Sequence, residues 1–129
     1  MALTVDEIDR YGRQVLLPEW GAAGQERLRA SSLTVRGQGA AAATAVRYLA
    51  AAGVGHLIVA CGAAEARAHN PLITVEEAAA ASDPEAIAIL LPDGARIAAA
   101  GDRVALGAAC ALEAIKALLG LPHHPTIPD

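Results

Sequence analysis

The sequence predicts an α/β domain of three layers with a short, mainly parallel sheet, and three observations predict it. A β-like run, Leu33-Thr34-Val35-Arg36, ends in Gly37-Gln38-Gly39 and passes straight into a strong helix former, AAAATAVRYLAAAG, over 40–53. His56 to Cys61 (HLIVAC) follows, almost unbroken in its apolar residues, as a central parallel strand reads. Two helical segments come before any strand.

Taken in order, Thr4 and Glu7 stand at the capping-box spacing, which predicts a first helix over 4–14. Pro18 and Gly21 break the chain, and GQERLRA over 24–30 predicts a second, short helix. Strand, glycine turn, helix and strand between 33 and 61 then form a βαβ unit with a right-handed crossover. GAAEARAHN, 62–70, loses periodicity and is expected to be a loop or irregular turn. ITVEEAAAAS, 73–82, is expected to be helical, because Thr74 and Glu77 repeat the capping-box spacing. Ala86 to Leu91 reads as a third strand, Pro92-Asp93-Gly94 as a turn, and ARIAAA over 95–100 as a candidate fourth strand. The last long helix, 102–120, starts near Asp102 and stops at Gly120, with Pro122 just beyond. One domain therefore spans 1–120, and LPHHPTIPD over 121–129 is a proline-rich tail expected to fray.

Composition narrows the function. The chain is 54% hydrophobic and only 2% aromatic, so its core is made of Ala, Leu, Val and Ile, which bury little area each. A net charge of −4 with no basic stripe excludes nucleic acid as a partner. Cys61 and Cys110 are isolated, which argues against a zinc site or a disulfide framework, and the adjacent His123-His124 do not converge on one ion. No metal and no cofactor are expected. Acidic residues in MALTVDEIDRYGR and the shortness of every apolar run argue against a leader peptide and a membrane partner, so a cytoplasmic location is expected.

The glycine turn leaves two readings open. Backbone amides at the start of a helix hold phosphates, and Gly37, Gln38, Gly39 and Ala40, followed by Ala42 in the third small-residue position, fit a weak nucleotide site. The dinucleotide fingerprint also wants an acid at the end of the second strand, where Cys61 stands. A tight turn with no nucleotide fits equally. Arg36 carries a charge to the edge of the first strand, where it reads as an anion or carboxylate holder or as an arginine snorkelling to solvent.

One stretch points further. Arg10-Tyr11-Gly12-Arg13-Gln14-Val15-Leu16-Leu17-Pro18, then Gly24-Gln25-Glu26-Arg27-Leu28, then the strand and glycine turn, then Tyr48-Leu49-Ala50-Ala51-Ala52-Gly53-Val54-Gly55, occur in the order and spacing of a known family. The chain resembles the ThiF/MoeB/HesA adenylyltransferases over about residues 8–61, and Ala111 to Gly120 resembles the family's late helix. The resemblance implies a small Rossmann-like domain and the ATP-dependent activation of ubiquitin-like sulfur-carrier proteins.

Where the family carries a D-x-D pair after the second strand, this chain has Cys61 and Ala63; of the next block only His69-Asn70-Pro71 remains, and Lys116, the sole lysine, lies in the late helix. Without those carboxylates nothing holds magnesium against a triphosphate. No catalytic residue is assigned. Arg13 matches the family arginine that reaches across a dimer to the partner's nucleotide, although it also stands close to Asp9 and Glu19 in sequence. The resemblance thus implies a non-catalytic ThiF-like subunit. Such a subunit is a scaffold or inactive half, homodimeric or paired with a catalytically complete relative, with a ubiquitin-like carrier as a further partner. The alternative is a residual nucleotide-binding module or adenylyltransferase that takes ATP at the glycine turn.

Overall fold

The computed structural model describes residues 2–78 and 85–129. The chain runs α1 (Val5–Val15), α2 (Gly21–Ala30), β1 (Ser32–Arg36), α3 (Ala40–Ala52), β2 (His56–Val59), α4 (Ala63–His69), β3 (Thr74–Glu77), β4 (Ile87–Leu90), β5 (Arg96–Ala99), α5 (Val104–Leu118) and β6 (Thr126–Ile127). The predicted capping box is formed: Thr4 Oγ1 accepts the Glu7 N–H at 3.1 Å, and Glu7 Oε1 accepts the Thr4 N–H at 2.9 Å. Gly53 ends α3 in the left-handed region, at φ 94°, where a side chain would strain the backbone.

All six strands form one sheet in the order β3-β2-β1-β4-β5-β6. β1, β2 and β3 are parallel, β4 is antiparallel to both its neighbours, and β6 is parallel to β5. Five strands thus share one direction, the mainly parallel α/β fold that the sequence predicts. The sheet is wider than the three or four strands legible in sequence, because residues 74–77 and 126–127 also pair.

Two of the three expected layers are built among the described residues. Leu33, Val35, Leu57, Val59, Ile89 and Ile97 face α3 and α5 and are fully buried or nearly so. Their neighbours in register, Ser32, Thr34, Arg36, His56 and Glu76, lie on the opposite face and are only half-buried or exposed. That polar face is what a sheet with one solvated side requires. Helices α1 and α2 instead close the far end of α3.

Three local expectations are corrected. Residues 63–69 form a helix, α4, and not a loop. AAEARAH consists mostly of good helix formers, and Ala63 and Ala66 bury one face against the core. Residues 74–77 form a strand, because Thr74 and Val75 are β-branched and the edge of β2 offers a parallel ladder that buries Val75. The rest of the expected helix, over 79–82, lies outside the described residues. The 121–129 tail is tied down at several points: the Ala98 N–H donates to the Pro125 carbonyl, β6 pairs with β5, and Arg103 binds Asp129 at 2.8 Å. The buried Glu113 also accepts the His124 N–H at 2.7 Å.

Candidate functional site

The carboxyl ends of β1 and β2 and the start of α3 make the edge where a phosphate would sit in this architecture. Gly39 is the N-cap residue of α3 and carries no capping side chain. The cap comes from far away in sequence: Asp102 Oδ1 accepts the Ala41 N–H at 3.0 Å. A Cβ on Gly39 would collide with both oxygens of that carboxylate. The glycine that sequence assigns to a ligand's approach is therefore taken up by the approach of Asp102. A carboxylate is the charge that a helix N-terminus favours, so the edge carries its own anion.

The Cys61 thiol feels the negative character of this edge. Cys61 Sγ–H donates to the Gly37 carbonyl at 3.5 Å. Burial pushes the Cys61 thiol up, and the Asp102 and Glu65 carboxylates push it the same way, so the thiolate needed for chemistry is disfavoured. Gln38 and Ala40 are exposed. Arg36, in register with Ala88, belongs to the uncovered side of the sheet and so leaves β1 away from the side on which α3 begins. No carboxylate stands at Cys61 or Ala63 to hold magnesium, and with Asp102 at the helix start these residues do not fit ATP with a divalent ion. Asp102, expected to open α5, caps α3 instead; a contact across 61 positions leaves no signal in local sequence.

The opposite end of α3 holds a different cluster. The last carbonyls of a helix lack intrahelical partners, and here side chains supply them. Gln25 Oε1 accepts Gln14 Nε2 and Trp20 Nε1, both at 2.9 Å, while Gln25 Nε2 and Gln14 Nε2 donate to the Ala52 carbonyl at 2.9 and 3.0 Å. Asn70 Nδ2 donates to the Ala50 carbonyl and to the Tyr11 hydroxyl oxygen, both at 2.7 Å. Gln25 and Asn70 are fully buried, and Tyr11 almost so. Burial raises the Tyr11 phenol, partly countered by the Asn70 hydrogen bond. The residues that stand out in the sequence blocks form a clasp on the C-terminus of α3.

Arg13 projects from α1 beside this clasp. It is exposed and makes no hydrogen bond or ion pair among the described residues, Asp9 and Glu19 included. The clasp and the glycine turn lie at opposite ends of a helix of 13 residues, about 20 Å at 1.5 Å per residue. Arg13 cannot serve the turn of its own chain.

Lys116 is bound to Glu113, with contacts of 3.0 and 2.8 Å. No cluster of three or more metal-ligating side chains occurs among the described residues. On the uncovered sheet face, Ser32 Oγ lies 3.3 Å from His56 Nδ1, and His56 Nε2 lies 3.3 Å from Glu76 Oε1. The N–H groups of Ser31, Gly55 and His56 beside this Ser-His-Glu row are given to the Leu28 and Ser31 carbonyls, so none of the three is left to stabilise an oxyanion. Nor is the His56 to Glu76 approach a well-formed hydrogen bond.

In comparison with known proteins, the turn and the clasp residues other than Asn70 fall within one matched stretch. Residues 11–60 match the model of the ThiF family. This stretch resembles the ThiF family. The heterocyst protein HesA of Trichormus variabilis is 48% identical over 60 residues, which are 46% of this chain and 22% of HesA. "Adenylyltransferase and sulfurtransferase MOCS3" of Drosophila sechellia is 51% identical over 55 residues, 43% of this chain and 12% of the relative. "Sulfur carrier protein adenylyltransferase" of Thermus thermophilus is 47% identical over 57 residues, 44% and 21% respectively. The chain thus matches less than a quarter of each relative's length. The ThiF match stops at the end of β2, just before Cys61 and Ala63, and α5 lies outside it. No helix among the described residues is long and apolar enough to cross a membrane.

Proposed function

We propose that this chain is a non-catalytic ThiF-like subunit, a scaffold or the inactive half of an adenylyltransferase that activates ubiquitin-like sulfur-carrier proteins. One observation carries the reading: the Asp102 carboxylate caps α3 at the position where a nucleotide phosphate would be held. The absence of carboxylates at Cys61 and Ala63 supports it, as does the use of Tyr11, Gln14 and Gln25 for the clasp. Arg13, exposed and unpaired among the described residues, suits donation to a nucleotide held by another subunit, either a second copy or a complete relative. The reading as a nucleotide-binding module built on Gly37, Gln38, Gly39, Ala40 and Arg36 has less support. The Ala41 N–H is already given to Asp102, and Arg36 leaves on the other face.

The experiment is ATP-pyrophosphate exchange by the purified chain with magnesium and a ubiquitin-like carrier. The reading expects no exchange above background. Exchange at the rate of an ordinary adenylyltransferase would overturn it.

A further inference from the structure

Two glycines of the fold carry a carboxylate where a side chain would begin, and the two contacts are linked. Asp102 lies on Gly39 and accepts the Ala41 N–H at 3.0 Å, capping α3. One residue before Asp102, a Cβ on Gly101 would collide with Asp129 Oδ2 and with Leu106 Cδ1. One residue after it, Arg103 Nε donates to Asp129 Oδ1 at 2.8 Å, and Arg103 Nη2 lies 2.8 Å from the same oxygen. The Asp129 side chain thus grips the link between β5 and α5 on both sides of Asp102. Asp129 is carried in turn by the 121–129 segment, which is seated through its backbone. The Leu121 N–H donates to the Lys116 carbonyl at 2.8 Å, the His124 N–H to the buried Glu113 at 2.7 Å, and the Ala98 N–H to the Pro125 carbonyl at 2.9 Å. Thr126 and Ile127 then pair with Ala98 and Ala99, and Ile127 packs against the core.

We propose that residues 121–129 are a strap that holds Asp102 on the start of α3, so that lifting the strap frees the Ala41 N–H while the domain stays folded. The link between β5 and α5 spans only 100–103, and Gly101 within it has no side chain with which to anchor itself, so its position is set by what is laid on it. Amides of a first helical turn lack intrahelical partners, which makes the Ala41 N–H dependent on Asp102. The magnitudes allow local release. An exposed ion pair and a single helix cap each shift an equilibrium by up to about fivefold, against the roughly 1,000-fold or greater equilibrium that keeps a small domain folded. Strap and cap therefore open well before the domain does. β6 is the shortest strand among the described residues and lies at the edge of the sheet, with a neighbour on one side only. The start of α5, by contrast, is fixed without the strap: Gly107 packs so closely on α3 that a Cβ there would collide with the Ala41 carbonyl. What moves when the strap lifts is the link that carries Asp102, and the seating of β6 decides whether the α3 edge holds its own anion.

No nucleotide enters this device, so it and the non-catalytic reading fail separately. Amide hydrogen exchange of the full chain, followed residue by residue by nuclear magnetic resonance, tests it. Asp129→Ala should speed exchange of the Ala41 N–H about fivefold and leave the Val46 and Leu49 amides, farther along α3, at their wild-type rates. Arg103→Gln, which breaks the ion pair but leaves the Asp129 carboxylate against Gly101, should speed it less. In an Asp102→Ala background, where the cap is already gone, Asp129→Ala should add nothing. Asp93→Ala removes a carboxylate that accepts the Ala95 N–H in the exposed turn between β4 and β5, and should leave Ala41 unchanged. A wild-type rate at Ala41 in Asp129→Ala would overturn the proposal. So would equal acceleration at Ala41, Val46 and Leu49, an Asp129→Ala effect that persists in full without Asp102, or an Asp93→Ala effect of the same size.

Discussion

The two ends of α3 have been put to different uses. At its C-terminus, Tyr11, Gln14, Gln25 and Asn70 form a buried, mutually bonded clasp on the Ala50 and Ala52 carbonyls. At its N-terminus, the turn that could receive a phosphate is capped by Asp102, with a poorly ionising thiol beside it. Both ends lie in the segment that matches the ThiF family; one is held by a network of buried side chains, the other by a single carboxylate.

The comparison breaks most readily at the clasp. Gln25→Ala leaves the Trp20 indole N–H and the Ala52 carbonyl short of partners and opens a cavity, so urea unfolding should show a loss of about 2–4 kcal/mol. Gln38→Ala, at the exposed turn, should stay within about 0.5 kcal/mol of the wild-type chain. Equal losses at the two ends would remove the contrast.

A double-mutant cycle sharpens the account of the turn. Asp102→Ala should cost about 1 kcal/mol through the lost cap. Gly39→Ala should cost about 1–3 kcal/mol through overpacking against the Asp102 carboxylate. Together they should cost less than the sum, because removing the carboxylate removes the collision. Strict additivity would mean that Gly39 and Asp102 do not act on each other.

Acid stability tests two carboxylates outside α3, Glu113 and Glu7. The Lys116 ammonium holds the Glu113 carboxyl below its usual value against the opposing effect of burial, and the His124 N–H adds to this. Burial pushes the Glu7 carboxyl up, but hydrogen bonds from Thr4 and Arg29 outweigh it and leave that group lowered as well. A lowered folded value means that these carboxylates contribute stability fully above the unfolded carboxylate range, near 4.3. That contribution is lost as pH falls through the folded values. The urea midpoint should therefore drop between pH 5 and pH 3, and Lys116→Met should shrink that drop. An unchanged drop would mean that Lys116 does not hold the Glu113 carboxyl down.

The smallest effects concern the thiols. Burial pushes Cys110 up to about 11 and raises Cys61 as well, so both should alkylate slowly at pH 7 in the folded chain. Rapid modification of Cys61 would mean that the edge is less negative than the positions of Asp102 and Glu65 imply.

What the sequence revealed follows the range of the forces involved. The capping box at Thr4 and Glu7, the β1-turn-α3-β2 run and the stop at Gly53 depend on neighbours within a few residues, and they were legible. α4 and β3 were exchanged for loop and helix because short alanine-rich and β-branched runs take their structure from the surface they meet, here the core under Ala63 and Ala66 and the edge of β2. β6 was hidden by its prolines and is held by β5 and by contacts from Arg103 and Glu113. In the candidate site, the missing carboxylates could be read directly at Cys61 and Ala63. Asp102 could not, because its partner lies 61 residues earlier. Gln14 and Gln25 were visible as signature residues, but their task depends on the Ala52 carbonyl, which only the folded chain brings to them.

The measurement closest to the central claim is a calorimetric titration of the wild-type chain with ATP and magnesium. With Asp102 on the helix start and no carboxylates at Cys61 and Ala63, no saturable heat is expected up to millimolar nucleotide. Saturable binding at micromolar concentration would contradict the account, since the α3 N-terminus would then be open to a phosphate after all.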